Sequence, residues 1–180
     1  SLGHPQPNPA MIPFTNIFLA AFILTFGLKA WLALRQMRHV WLHRDAPPAA
    51  FAASVSVEEH RKAAGYTLAK TRVGLAHLAV EGVLLWWFTL GGGLNLLHDM
   101  AGGLADSAIW RGAWMLLGVM LVSGAVEIPL SLYRQFVVEA RFGFNRQTLP
   151  GFVVDLAKET MLGLAIGLPL ILLTLWLMDG

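Results

Sequence analysis

The sequence predicts an all-α membrane protein that crosses the bilayer several times. Apolar residues make up 56% of the 180 residues and charged residues only 13%, whereas about 25% of the residues of a soluble globular chain are charged. The mean hydropathy is +0.60. The apolar residues also form runs long enough to cross a hydrocarbon core of roughly 30 Å at about 1.5 Å per residue. This excess of apolar surface requires lipid around it.

Four apolar runs predict the membrane spans, and a leader precedes them. Residues 1–13 are rich in proline and carry no Lys or Arg, so we expect a flexible leader and not the basic start of a signal peptide. We expect about four transmembrane helices within one N-terminal helical domain, residues 14–180. They are predicted over residues 14–34, 73–97, 112–133 and 160–178.

Two further helices are predicted next to these spans. Pro47 and Pro48 should break the basic helix end that follows the first span, because proline cannot continue a helix interior. Ser56, followed by Glu59, fits a capping box and predicts the start of a helix that leads into the second span. The string FVVDLAKE, before the last span, predicts a short amphipathic helix along the cytoplasmic surface.

The basic residues of the connections predict the orientation of the chain. Seven Lys or Arg lie between the first two spans and four between the last two, while the leader has none. Lys and Arg concentrate in cytoplasmic loops. We therefore expect loops 35–72 and 134–159 in the cytoplasm and the N-terminus outside. Four spans then return Gly180 to the outer side, so a cytoplasmic domain after residue 180 would require a fifth span. Composition and short loops favour a bacterial inner membrane.

These basic residues also bear on the partners of the chain. They flank membrane spans and no nucleic-acid reading motif accompanies them. Attraction to anionic lipids accounts for them. The lipid bilayer is thus an expected partner, and nucleic acid is not.

Three ionisable side chains fall within predicted spans, where a charge costs about 2.5–3.5 kcal/mol at the bilayer centre. His77 and Glu81 are four residues apart and share one face of the second span. Glu127 lies in the third span, two residues before Pro129. The three could form an intramembrane polar cluster that lines a chamber or shares protons. Alternatively, they could be hydrogen-bonded pairs that fix helix packing.

No sequence motif predicts a catalytic or metal site in these residues. The chain has no cysteine, which excludes thiolate ligands, and it contains no His-Glu-x-x-His string of the kind that binds zinc in metallopeptidases. His39 and His43 have helical spacing but no adjacent acid and no evident third ligand. We therefore predict no catalytic residue and no metal ligand in this chain.

The most specific segment is residues 129–148, with the sequence PLSLYRQFVVEARFGFNRQT. Gly143 can adopt positive φ between two bulky phenylalanines. Asn145 and Gln147 can hydrogen-bond the neighbouring backbone, and Thr148 can begin the next helix. Pro129 should kink the third span. We expect an ordered loop that forms a cytoplasmic elbow between the third and fourth spans.

This segment resembles the N-terminal membrane region of the type I CAAX prenyl proteases, which are integral-membrane zinc metalloendopeptidases. The corresponding segment in that family reads P-x-SLY-x-x-F-x-x-E-x-x-x-GFN-x-QT. The principal matching residues are Pro129, Tyr133, Glu139, Gly143, Phe144, Asn145, Gln147 and Thr148.

The resemblance implies that the chain is the membrane part of such an enzyme. It would form the wall of an intramembrane chamber and dock a catalytic domain located downstream. Zinc and the peptide substrate would then belong to the intact parent, and these 180 residues alone would not be catalytic. The alternative is a non-enzymatic membrane scaffold or a small transporter subunit.

Overall fold

A computed structural model describes residues 11–47, 55–104 and 106–179, and within these ranges every regular element is helical. The elements are α1 (Met11–Leu42), α2 (Val57–Thr89), α3 (Gly93–Gly102), α4 (Ala108–Tyr133), a π-helical segment (Arg134–Glu139), α5 (Ala140–Phe142) and α6 (Leu149–Asp179). This architecture confirms the predicted all-α class. Residues 1–10 of the predicted leader and Pro48 lie outside the described residues.

Three stretches are long and apolar enough to cross a membrane: Phe14–Leu42, Ala108–Phe142 and Leu149–Thr174. The helices α2 and α3 meet the same criterion together and are bent by 58° at their junction, which gives up to four spans. Many large apolar side chains along these stretches are more than half exposed, such as Phe14, Leu121 and Met161. Lipid is the solvent that such surfaces require, in agreement with the predicted membrane class.

The second span differs from the continuous helix predicted over residues 73–97. The break follows α2 at the three consecutive glycines, where Gly92 has φ 80°. A Cβ at Gly91 would lie 2.8 Å from the Cα of Trp87, and one at Gly93 would lie 2.8 Å from the indole ring of Trp87. The glycines therefore allow close packing at a helix bend, which a hydropathy pattern does not reveal.

The last helix also differs from prediction, because α6 is continuous and includes the predicted amphipathic helix as its first turns. Thr148 caps this helix: its Oγ1 accepts a hydrogen bond from the Gly151 amide at 3.3 Å. Pro150 lies in the first turn, where the missing amide hydrogen costs little. No helix breaker then separates the polar first turns from the apolar remainder.

The chain divides into two compact units, Ser1–Gly82 and Val83–Gly180. In the first unit, the end of α1 and the start of α2 are joined by the ion pair between Arg61 and Asp45, with Nη2 and Oδ1 2.8 Å apart. The predicted capping box is present, since the Glu59 carboxylate accepts from the Ser56 amide at 3.0 Å and the Ser56 hydroxyl accepts from the Glu59 amide at 3.2 Å.

In the second unit, small residues let α3 pack closely against α4. Ala101 and Ala113 are only 2% and 3% exposed. A Cβ at Gly118 would lie 2.9 Å from the side chain of Leu97. Ser107 caps α4 by accepting a hydrogen bond from the Trp110 amide at 3.4 Å. This unit also contains residues 129–148, which we call the motif segment.

Candidate functional site at the motif loop and the polar cleft

The motif segment leaves its helix later than the sequence predicts. We expected the exit near Tyr133 and a loop over residues 134–159, but helical structure continues through the π-helical segment to Phe142. Pro129 is accommodated inside α4. The polar residues that follow Tyr133 therefore belong to the helix. The connection to α6 is shorter than predicted and comprises only residues 143–148.

The π-helical segment, Arg134–Glu139, forms the last turns before the loop. Arg134 and Glu139 stand five residues apart, the interval of a π-helical hydrogen bond, and their side chains form an ion pair with Nε and Oε1 3.4 Å apart. The Glu139 side chain is 17% exposed. The ring of Phe136 packs edge-on against Phe152 of α6, with 5.9 Å between centroids. These contacts fix the π-helical segment against the start of α6.

The loop after Phe142 is held by motif residues. Gly143 has φ 80° and ends the helix in the left-handed conformation that the sequence predicts. The Glu139 carbonyl accepts hydrogen bonds from the amides of Phe144 and Asn145, at 2.9 Å and 3.2 Å. Asn145 Oδ1 accepts from the Gln147 amide at 2.8 Å. The loop is thus ordered by its own backbone and amide side chains.

Two side-chain hydrogen bonds connect the loop to the helices on either side. Gln135 Nε2, in the π-helical segment, donates to Asn145 Oδ1 at 3.1 Å. Gln147 Nε2 donates to Asp155 Oδ2 in α6 at 2.7 Å. The sequence predicts backbone partners for Gln147, whereas the structure gives its side chain a carboxylate.

A polar cleft of about 450 Å³ opens beside this loop, between α4 and α6. Three carboxylates line it, and Lys158 adds one positive charge. Lys158 Nζ lies 3.8 Å from Asp155 Oδ1. The residues that line the cleft are Gly124, Glu127, Ile128, Ser131, Gln147, Phe152, Asp155, Leu156, Lys158 and Glu159. We call this site the polar cleft.

Sequence reasoning identified Glu127 but missed the two carboxylates of α6 that share the polar cleft. Asp155 and Glu159 are four residues apart and therefore lie on one face of a helix. That spacing was an available signal. The FVVDLAKE segment was instead predicted to lie on the cytoplasmic surface, and nothing in its sequence pairs it with α4.

The predicted intramembrane polar cluster is divided between the two compact units. His77 and Glu81 lie on α2 in the first unit, and Glu127 lies on α4 in the second. His77 Nε2 is buried without a hydrogen-bond partner, and Glu81 is exposed. Next to Glu81, a Cβ at Gly82 would lie 3.2 Å from the ring of Phe26. That the three ionisable groups act together stays a prediction.

No metal-binding group of three or more His, Asp or Glu side chains occurs within residues 11–47, 55–104 and 106–179. The site described above therefore offers hydrogen bonds and charge.

Comparison with known proteins decides the family. Residues 36–180 match the family model described as CAAX prenyl protease N-terminal, with five membrane helices. The chain belongs to this family. It is an N-terminal membrane domain of the CAAX prenyl protease family, and the family resemblance of the motif segment is confirmed.

Relatives of this CAAX prenyl protease domain include a fungal and a plant protein. The chain is 33% identical over 162 residues to the probable CAAX prenyl protease 1 of Schizosaccharomyces pombe, covering 82% of this chain and 34% of that protein. It is 30% identical over 170 residues to a CAAX prenyl protease 1 homolog of Oryza sativa, covering 89% of this chain and 39% of that protein.

A solved structure shares the fold of this domain. The crystal structure of S. mikatae Ste24p has a TM-score of 0.81 and 26% sequence identity, and the match covers 89% of this chain and 38% of that one. The chain thus spans between 34% and 39% of the length of these three relatives. They are all eukaryotic and give no support for the prediction of a bacterial inner membrane.

Proposed function

We propose that this domain forms part of the wall of an intramembrane chamber in a zinc metalloendopeptidase and docks that enzyme's catalytic domain through the polar cleft. The polar cleft carries the proposal, because three carboxylates on two membrane-spanning helices line it. Ionisable groups in spanning helices face cavities or polar partners, since lipid solvates them poorly. A surface of this charge favours a polar, basic partner.

Residues 143–148, which we call the motif loop, give the proposed docking surface its rigidity. Gln147 joins the loop to Asp155 at 2.7 Å, and Gln135 joins it to the π-helical segment at 3.1 Å. Rigid, pre-organised groups lose less entropy when they bind. The family motif therefore maintains the shape of one rim of the polar cleft, and it supplies no reacting atom.

Zinc is the metal that the family resemblance implies, and the residues of this chain do not fit it. The sequence has no Cys and no His-Glu-x-x-His string, and zinc sites need three or four protein ligands. We place zinc, together with peptide hydrolysis, in a catalytic domain outside these 180 residues. The contribution of this chain is to enclose the peptide substrate and position that domain.

The non-enzymatic alternatives, a membrane scaffold or a small transporter subunit, fit less well. Many transporters carry paired internal repeats, and the four predicted spans show no convincing repeat. The broken span at α2 and α3 is compatible with either assignment. Family membership also favours the protease assignment.

The test begins with the complete gene and proceeds to reconstitution. We expect the codons after residue 180 to encode His-Glu-x-x-His. The downstream portion, expressed separately, should co-purify with the tagged chain and then cleave a CAAX-type peptide in a chelator-sensitive manner. The double variant Asp155→Asn with Glu159→Gln should weaken that association at least about tenfold, because it removes two of the three negative charges that the cleft offers to a basic partner.

A matched variant separates docking from a general charge effect. Glu58→Gln removes an exposed carboxylate at the start of α2 and should leave the association unchanged. Chelator-sensitive proteolysis by the 180-residue chain alone would contradict the proposal. So would a downstream portion that cleaves the peptide equally well without the chain.

A further inference from the structure

Three histidines surround a second cavity, in the first compact unit and apart from the polar cleft. It has a volume of about 470 Å³ and is lined by His39, His43 and His60 together with small side chains such as Ala63 and Ala64. His39 lies in the last turn of α1, His43 directly follows the end of that helix, and His60 lies in the first turn of α2. We call this site the histidine pocket.

The hydrogen bonds of two of these rings determine which nitrogen carries a proton. His43 Nδ1 lies 2.8 Å from the His39 carbonyl, and His60 Nε2 lies 3.1 Å from the His43 carbonyl. A carbonyl oxygen only accepts, so both of these nitrogens donate. In the neutral rings, His43 Nε2 and His60 Nδ1 therefore carry lone pairs. Protonation of a ring keeps its hydrogen bond to the carbonyl oxygen and adds one new N–H donor.

The stacking of two rings favours an anion once they are charged. The centroids of His39 and His43 are 4.2 Å apart. Two positive charges at that separation repel each other, and an anion bound beside them offsets the repulsion. Since no three such side chains in the described ranges have metal-binding geometry, the pocket is better suited to an anion than to a metal ion.

The segment that contains the histidine pocket carries a net positive charge, although no Lys, Arg, Asp or Glu lines the pocket itself. Across residues 35–72, seven Lys or Arg stand against three Asp or Glu. The charged residues nearest in sequence are Arg38, Arg44 and Asp45 at the end of α1, and Glu58, Glu59, Arg61 and Lys62 at the start of α2.

Two of the carboxylates near the pocket already have local partners. Hydrogen bonds from Arg61 and then Arg44 hold the pKa of Asp45 below its usual range. Hydrogen bonds from the backbone and side chain of Ser56 lower the pKa of Glu59. By contrast, no ion pair among the described residues involves Arg38 or Lys62. Neither side chain lines the pocket, so the positive charge that would meet an anion there comes from the histidines themselves.

The aromatic residues at this end of α1 have the pattern of a membrane interface. The Arg35 guanidinium lies 5.5 Å from the ring centroid of Trp31, and that of Arg44 lies 5.0 Å from the centroid of Trp41. Tryptophan concentrates at membrane interfaces, and basic pockets between helices on the cytoplasmic side bind phosphorylated headgroups.

We propose that the histidine pocket binds a phosphate group, carried by an anionic lipid headgroup or free in solution, and that binding tightens when the histidines are protonated. A protonated imidazole attracts an anion and a neutral one does not, so the affinity should rise as the pH falls. This proposal is independent of the polar cleft and of the catalytic domain.

The test measures binding to the full chain in detergent micelles with two probes, short-chain phosphatidic acid and inorganic phosphate. Between about pH 7.5 and pH 5.5 we expect at least one probe to bind about tenfold tighter, as linkage to the uptake of one proton allows. Imidazole 15N resonances of the wild-type chain should shift on binding. Phosphatidic acid alone binding identifies a lipid headgroup as the source, and equal binding of both probes identifies the phosphate group itself.

Variants assign the effect to the pocket. In the double variant His43→Asn with His60→Gln, amide donors replace the ring N–H groups that bond the carbonyls, but neither side chain can be protonated. It should lose the pH dependence, whereas His98→Asn on α3 should behave as wild type. The proposal is overturned if neither probe binds, if binding does not change with pH, or if the double variant retains the full pH response.

Discussion

At the scale of single residues, the motif loop shows how a short polar sequence specifies one turn. Gly143 supplies the left-handed backbone with φ 80°. The Glu139 carbonyl then accepts hydrogen bonds from the amides of Phe144 and Asn145, at 2.9 Å and 3.2 Å. Asn145 closes the turn by accepting the Gln147 amide at 2.8 Å. Each of these roles is local, which explains why the residues could be recognised without any knowledge of the packing around them.

Replacement of Gly143 by alanine should lower the free energy of unfolding by about 1–2 kcal/mol, because a side chain disfavours the left-handed conformation. An added Cβ would meet no atom within 4 Å, so the loss should come from the backbone and not from a clash. Denaturant or thermal unfolding in micelles, followed by circular dichroism, measures it.

The matched control for this change is Gly163→Ala in α6. Its Cβ also meets nothing within 4 Å, and its φ is not positive. Alanine in a helix should stabilise this position by about 0.5–1 kcal/mol. If both variants changed stability in the same direction, the special role of the Gly143 conformation would be refuted.

At the scale of elements, the junction between α2 and α3 is the clearest feature that packing decides. Three glycines in a row bring the chain against Trp87 and turn it by 58°. The bend separates a long spanning helix from the short α3, which then packs on α4. Hydropathy alone joins the two helices into one straight span.

Replacement of Gly91 by alanine should disrupt this bend, because the new Cβ would lie 2.8 Å from the Cα of Trp87. A backbone atom cannot move aside as easily as the end of a side chain. We therefore expect the free energy of unfolding to fall by about 1–3 kcal/mol. Unfolding in micelles and the fluorescence of the tryptophans report the change.

Gly103→Ala serves as the control at the other end of α3. There the Cβ would lie 3.5 Å from the Met100 carbonyl, an ordinary contact. This variant should stay within about 0.5 kcal/mol of the wild type, as most changes away from tight packing do. A loss at Gly103 as large as that at Gly91 would show that steric contact with Trp87 is not the cause.

At the scale of the whole molecule, the orientation of the chain in the membrane follows from its basic residues. Seven Lys or Arg between the first two spans outnumber the single one in the connection 98–111. We therefore expect residues 35–72 in the cytoplasm and the N-terminus outside. The same bias predicts that the motif loop lies on the cytoplasmic side, where the proposed catalytic domain would meet it.

The orientation can be tested with single cysteines, since the natural chain has none. In sealed, right-side-out vesicles, a membrane-impermeant maleimide should label Asp106→Cys but should label Ala46→Cys only after the vesicles are opened. The cysteine-free parent gives the background. The reverse pattern of labelling would refute the proposed orientation.

The sequence by itself determined the all-α membrane class, the family, the capping box at Ser56, the Gly143 turn and the cap at Thr148. These depend on composition, on hydropathy over about twenty residues and on hydrogen bonds between near neighbours, and all of these can be read along the chain.

Only the tertiary structure decided three features. They are the residue at which the motif helix ends, the bend at Gly92, and the position of Glu127 and Asp155 in one polar cleft. It likewise brought His60 to the carbonyl of His43, 17 residues away in sequence. Such pairs depend on how helices pack against each other, because contacts between distant segments have no periodic signal in the sequence.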